Sequence, residues 1–231
     1  MINKKYPLII LAFIFIIFFT SLGFWQLSRA EQKERLLNSY ADRIKQTKLT
    51  VSALNPNQDL RFYQVILKGR FDNQRTLLLD NKIFHGQIGY EVYTPFKVIG
   101  LTSLILVDRG FIPLGKNRAE LPIIPSISGI VTITGMLNQA PKYIEWSQMS
   151  DAKSASLERV QYINLKKLAA LFNHPLFPYV VTLTPHHEAA FAIEWQILTM
   201  GPERHRGYAL QWFALALTLL VICAALNKPR K

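Results

Sequence analysis

The sequence predicts an α+β membrane protein in which two terminal transmembrane helices flank an antiparallel β-rich extracytoplasmic domain with a short inserted helix. Three observations predict it. Two runs without a charged residue, 7–27 and 207–226, stand near opposite ends of the 231 residues. At about 1.5 Å of rise per residue, each run crosses a hydrocarbon core of roughly 30 Å. Between them lie short alternating or β-branched runs punctuated by Gly, Asn and Pro. Hydrophobic residues make up 50% of the chain and its mean hydropathy is +0.14, high for a soluble protein of this size.

The chain opens with a short tail, 1–6, that carries Lys4 and Lys5, followed by the first span, "PLIILAFIFIIFFTSLGFWQL". A secretory signal peptide has an apolar core of about 7 to 15 residues followed by a small-x-small cleavage site. This core is longer, and "SLG" is the nearest approach to such a site, so an uncleaved span is expected. In 28–54, Leu36, Leu37, Tyr40 and Ile44 recur at helical spacing, which extends the helix out of the membrane as an amphipathic stalk until Asn55-Pro56-Asn57 ends it.

The region 55–206 reads as the β domain, with strands expected in "RFYQVILKGRF", "RTLLLDN", "GYEVYTPFKV", "SLILVDRGFIP" and "GIVTITGML". "NLKKLAALFN" has a period of 3.6 behind an Asn164 N-cap, which predicts one inserted helix before "PYVVTLT" and "AAFAIEWQIL" resume the sheet. Polar stretches from "SISG" through "SQMSDAKSASLE" are expected to be mobile loops. The second span, 207–226, leads into a tail, 227–231, with Lys228, Arg230 and Lys231.

With two spans, both tails share one side. Long loops are translocated largely regardless of charge, and the tails carry only positive charge, which places both termini in the cytoplasm and the main domain outside. Arg29, Lys33, Arg204 and Arg206, at the opposite ends of the spans, pull the other way. No Ser- and Arg-rich presequence precedes the first span, which favours a bacterial inner membrane and a periplasmic domain. The formal net charge is +12, but five of the 27 basic residues sit in the tails and the rest are spread among 15 acidic ones. No basic block carries interleaved aromatics, so nucleic acid is not an expected partner; membrane lipid is. Cys223, the single cysteine, lies inside the second span, which leaves no thiols for disulfides or zinc clusters.

The chain contains no GxSxG, P-loop, GxGxxG or HExxH motif, and no enzyme activity is expected. Asp80, Glu91 and Asp108 lie in or beside strands, where carboxylates are commonly solvated or paired with arginines; an orderly cluster of the three would revive an enzymatic reading. His186-His187 invites a metal, yet adjacent residues on a strand point to opposite faces. His85 and His174 read as turn residues. In "LVDRGFIP", Asp108 pairs with Arg109 or caps a turn, and Gly110 supplies a positive φ; the other reading gives Arg109 to a partner.

The outer ends of the two spans carry the strongest signal. On the second helix His205, Ala209, Trp212, Ala216 and Cys223 share one stripe, with Tyr208 beside it, and small residues there permit close approach by the other helix or by a flat ligand. On the first, Trp25, Gln26 and Arg29 stand at the same depth as Trp212, Gln211, Arg204 and Arg206. An aromatic belt with snorkelling arginines accounts for Trp25, Trp212, Arg29 and Arg206. It leaves His205 and the two glutamines unexplained, because amides beside hydrocarbon need partners. Haem meets these leftovers: iron takes a neutral imidazole, propionates take arginines near the water boundary, and the ring takes aromatic surroundings.

Several blocks in order, "GFWQLSRAEQKERL", "FYQVILKGRFD", "LLLDNKIFHGQIGYEVYTPF", "LILVDRGFIP" and "PERHRGYALQWFALA", resemble the surfeit-locus cytochrome c oxidase assembly proteins over nearly the whole chain. The resemblance implies a non-enzymatic factor that assists delivery or insertion of haem a into the large subunit of a haem–copper cytochrome c oxidase. Haem a is the implied cofactor, held transiently. The oxidase large subunit is the implied partner, with haem a synthase as a second. It further implies haem-iron ligation at the histidine of the second span's outer mouth, here His205. Phe111 stands where relatives often carry Trp, and Arg206 where a neutral residue is usual. A scaffold that stabilises an oxidase assembly intermediate without binding haem is the competing expectation. A membrane-bound sensor is disfavoured, since tails this short hold no output domain.

Overall fold

The computed structural model describes residues 5–115, 118, 120–141, 157–195, 197 and 200–226. They form two compact units, one built from the terminal helices and the other spanning Tyr40–Trp195. The fold class is the one expected: two apolar helices near the termini flank a β-rich domain with a short helix.

Helix α1 (Lys5–Arg43) runs without a break through the apolar segment and on to Arg43, and α3 is Pro202–Leu226. Both are long and apolar enough to cross a membrane, and only 6% and 11% of their apolar windows are buried inside the protein. A soluble core helix would be covered. Here Leu8, Phe13, Leu210 and Leu217 stand more than half exposed, so lipid is what covers them and the protein is a membrane protein.

The second unit is built on seven strands: β1 (Gln64–Phe71), β2 (Thr76–Phe84), β3 (Gln87–Val98), β4 (Leu104–Pro113), β5 (Val131–Asn138), β6 (Leu157–Val160) and β7 (Leu176–Leu183). β1 pairs with β5, β5 with β7, β7 with β4, β4 with β3, and β3 returns to β1, so five strands close a barrel. Twelve-residue β3 makes this possible: residues up to Tyr93 pair with β2, and Phe96, Lys97 and Val98 pair with β1. β2 and β6 extend the sheet beyond the barrel. Most pairings are antiparallel; β2–β6 and β4–β7 are parallel.

β1 shows the alternation that marks a strand with one buried face, with Val65, Leu67 and Phe71 inside. They meet Phe96, Ile133 and Val181 in the barrel core. β4 is buried along its first eight residues because both its faces are covered. Its Leu106 turns to a second core, where Leu79, Val160 and Val180 pack under Leu168 of helix α2 (Leu165–Leu171). Asn164 caps α2 as expected, its side chain accepting from the backbone N–H groups of Lys166 and Lys167. At the other end Asn173 takes φ 48°, and Asn173 and His174 donate to the carbonyls of Ala170 and Ala169, a Schellman closure. His174 is thus a turn residue, and so is His85, which with Gly86 forms a two-residue hairpin with φ 46° and 77°.

Three expectations need correction. "AAFAIEWQIL" is not a strand: among its described residues only the Phe111–Ala192 bridge forms, because Gly110 at φ 100° breaks the pleat of β4 beside it. His186 and His187 lie in a turn after β7 rather than on a strand. The polar stretch after Ser126 is not all loop. The Asn73 side chain donates to the Ile127 carbonyl and accepts from its N–H, both at 3.0 Å, and Leu157 and Glu158 begin β6. The rest of that stretch, 142–156, lies outside the described residues.

Candidate functional site

The site is built where α1 and α3 meet. Partly or fully buried positions on α1 include Ala12, Ile16, Phe19, Gly23, Gln26 and Ala30; on α3 they include His205, Ala209, Trp212, Ala216, Leu219 and Cys223. Both series step by three and four, the spacing that keeps one face of each helix against the other. Phe19 meets Trp212, Gly23 and Phe24 meet Phe213, and Gln26 meets His205, so the two helices run antiparallel.

The small residues serve the helix pair, the first of the two uses open to them. The Phe19 and Trp212 rings stack at 5.7 Å, and Phe24 and Phe213 meet edge to face at 5.3 Å. A Cβ on Gly23 would lie 2.5 Å from the Phe213 ring. The "SLG" that reads as a cleavage-site candidate is therefore the place where an aromatic ring passes the α1 backbone. Aromatic rings occupy the space between these helix faces, and Trp212 commits one face to packing.

At the end of the pair where α3 begins, His205 is half-buried, and its Nδ1 lies 2.8 Å from Gln26 Oε1. This bond joins two of the expected site residues across the helix pair. The others are not gathered as closely. Arg29 lies over the Trp25 ring at 5.8 Å and donates to Gln32 Oε1, while Trp25 is 52% exposed. Arg206 donates to Glu34 Oε2 at 2.7 Å. Both side chains are about half exposed, so the pair contributes on the order of 0–1 kcal/mol and can be exchanged for another anion. Arg204, Tyr208 and Gln211 are exposed. Glu34, Phe19 and Phe213 are the neighbours that reading the helices one at a time misses. The three-four spacing on α1 is the signal that points to Phe19.

The carboxylates of the β unit go to separate partners. Asp80 accepts from Arg118 at 2.9 Å, and Arg159 stands 3.9 Å away. Glu91 holds Lys82 at 2.7 Å and accepts from Tyr93 Oη at 3.0 Å. Asp108 is buried; its Oδ1 accepts from the Gly110 N–H at 2.9 Å and its Oδ2 is 3.2 Å from Thr182 Oγ1. Arg109 does not pair with it. Arg109 is 3% exposed; its guanidinium lies over Phe71 and Phe191 and donates from Nε to the Ala189 carbonyl, so it holds 189–192 to the barrel and is not open to a partner.

His187 has both ring nitrogens engaged, Nδ1 accepting from the Ala189 N–H and Nε2 facing the Thr132 carbonyl at 3.3 Å. Among the described residues no group of three or more His, Cys, Asp or Glu side chains is arranged to hold a metal ion. A cleft of about 560 Å³ lies among Phe84, His85, His186, Phe191, Glu194 and Trp195, where His85 Nε2 is 2.9 Å from Glu194 Oε1.

Burial, and next the charge of Glu91, pushes the Asp108 carboxyl up from its ordinary 3.8 to about 8. The folded protein then keeps a proton that the unfolded chain releases above about pH 4. Stability from this group is complete below about pH 4 and is lost as pH rises towards 8. The Asp59 carboxyl, held below its ordinary value first by the Arg61 hydrogen bond, has the opposite sign and acts only at more acid pH. Between about pH 5 and pH 8 the urea midpoint of the parent should fall, and that of Asp108→Asn should stay nearly flat. Equal slopes would contradict this assignment.

Fold and site together define a two-helix membrane protein: its terminal helices pair antiparallel, and the chain between them folds into a barrel-centred β unit. The sequence model of the SURF1 family matches residues 13–217, and the chain belongs to that family. It is 27% identical over 217 residues to a SURF1-like protein of Rickettsia prowazekii, covering 89% of this chain and 84% of the relative. The SURF1-like protein of Rickettsia felis is 28% identical over 221 residues, 87% of this chain and 88% of the relative. Surfeit locus protein 1 of Gallus gallus is 28% identical over 138 residues, 52% of this chain and 44% of the relative.

Proposed function

We propose that this protein is a non-enzymatic assembly factor for a haem–copper cytochrome c oxidase. It receives haem a as cargo at the outer mouth of the helix pair and passes it to the oxidase large subunit. Family membership and the resemblance set out above support the process served. The observation that carries the haem step is the half-buried His205 imidazole, bonded through Nδ1 and so left with Nε2 for another partner.

The donor set has the chemistry haem requires. His205 would ligate iron; Arg29 and Arg204, exposed near the same end, would hold propionates, with Arg206 joining them on leaving Glu34. Trp25 and Tyr208 offer exposed rings to the apolar macrocycle. The β unit docks the oxidase large subunit, and haem a synthase is the donor. Both helices insert in a bacterial inner membrane with both termini cytoplasmic and the barrel periplasmic, which sets the mouth at the outer surface.

A second reading draws on the same hydrogen bond: a scaffold that holds an assembly intermediate without touching haem, with His205 and Gln26 joining the helices only. Complementing a strain that lacks this chain separates the two. If His205 carries haem, His205→Ala accumulates normally in the membrane yet lowers oxidase haem a content by about tenfold or more, at least the scale on which losing a ligand's supporting partner acts. Full oxidase assembly with that variant would favour the scaffold.

A further inference from the structure

His205 and Gln26 belong to different helices, and their contact has a direction. The amide oxygen of Gln26 can only accept, so at 2.8 Å from Nδ1 it requires the proton to sit on Nδ1. A neutral imidazole carries one proton, and the lone pair is then on Nε2. Free imidazole side chains favour the other tautomer, so the contact imposes a choice. Gln26 is well placed to do so. It lies on the face of α1 that carries buried Gly23 and Ala30, where both it and His205 are half-buried and each is the other's side-chain partner across the helix pair. Metal-bound histidines characteristically donate their second ring N–H to a carbonyl or carboxylate that fixes tautomer and ring orientation. That second partner is already in position here.

We propose that Gln26 is a positioning residue that locks His205 in the Nδ1–H tautomer and so presents its Nε2 lone pair to haem iron. The proposal rests on the haem reading above. A contact that merely glued the helices would serve equally well with the amide reversed, its NH₂ donating to an unprotonated Nδ1.

The test uses the full chain in micelles, haem-free and labelled with ¹⁵N-histidine, under mildly alkaline conditions where imidazole is neutral. His205→Ala identifies the His205 signals by their loss. In the parent protein, Nδ1 of His205 should give a protonated-type shift and Nε2 an unprotonated one. Gln26→Met, similar in size but without the acceptor, should shift the ring towards the Nε2–H form. Gln26→Glu, which keeps an acceptor, should preserve the parent pattern. In haem titrations Gln26→Met should bind about 10–100-fold more weakly, with Gln26→Glu restoring most of the loss. A protonated Nε2 in the parent, or ring shifts indifferent to Gln26→Met, overturns the role of Gln26 and leaves the haem reading standing. Haem affinity unchanged in His205→Ala overturns both.

Discussion

Gly110→Ala is expected to unfold the β unit well below the temperature at which the parent melts. Gly110 has φ 100°, a region closed to side chains, and a Cβ there would run into Ile193 Cγ1 and stand 2.6 Å from the Ala192 carbonyl oxygen. Neither neighbour can retreat. The Phe111 N–H donates to Ala192 and the Phe191 N–H to Arg109, while the buried Arg109 guanidinium holds the Ala189 carbonyl from below. Backbone strain costs about 1–3 kcal/mol and overpacking a similar amount. Their sum is a large share of the roughly 5–15 kcal/mol that stabilises a domain. Circular dichroism should show Tm lowered by roughly 10 °C or more. Gly86→Ala separates the two contributions. Gly86 also has a positive φ, 77°, but a Cβ there meets nothing within 4 Å, so its loss should be much smaller. Equal losses at the two positions would show that the close approach of Ala192 and Ile193 contributes nothing.

Gly23→Leu is expected to part the helix pair. A β-carbon already falls 2.5 Å from the Phe213 ring, and the remaining leucine atoms have no free volume between stacked Phe19–Trp212 and edge-on Phe24–Phe213. Lipid offers no hydrophobic penalty for separation, so helix pairing in a membrane depends on this kind of close packing. The Gln26–His205 bond, one helical turn further out, is lost with it. Cross-linking of Gln26→Cys with His205→Cys by a short bifunctional thiol reagent, which bridges the gap left by the two longer side chains, in a Cys223→Ala background, should form readily in the parent helices and drop by about tenfold or more when Gly23→Leu is added. Cross-linking that survives Gly23→Leu would mean that the ring contact does not hold the helices together.

Much of the fold is legible in the chain because it is written locally. The uncharged lengths of the two spans, the clean period of two in β1, the Asn164 cap and the His85-Gly86 turn each depend on a few adjacent residues. What depends on distant partners is not legible. β6 is four residues, half of them charged, and becomes a strand only because β2 lies beside it in parallel. Barrel closure needs Phe96–Val98 to find β1, an event that no local pattern announces. "AAFAIEWQIL" shows the converse: its alternation is strand-like, but a left-handed Gly110 on the neighbouring strand restricts it to a single bridge.

The site divides the same way. The α3 stripe follows from helical periodicity, and all five of its members, His205, Ala209, Trp212, Ala216 and Cys223, do lie on the partly or fully buried face. The pairing of Arg206 with Glu34 spans 172 positions, and nothing near either residue signals it. Arg109 misleads for a physical reason. A guanidinium is normally a surface group, and only the tertiary structure shows it stacked on Phe71 and Phe191 beneath the 189–192 segment.

The absorption spectrum of the full-length protein purified from haem-a-producing cells tests the account at its centre. With His205 as the ligand, the parent should carry a Soret band and His205→Ala should lose most of it while keeping the parent's far-ultraviolet circular dichroism. A Soret band of the same position and intensity in a folded His205→Ala variant would contradict the account and leave the helix mouth without its cargo.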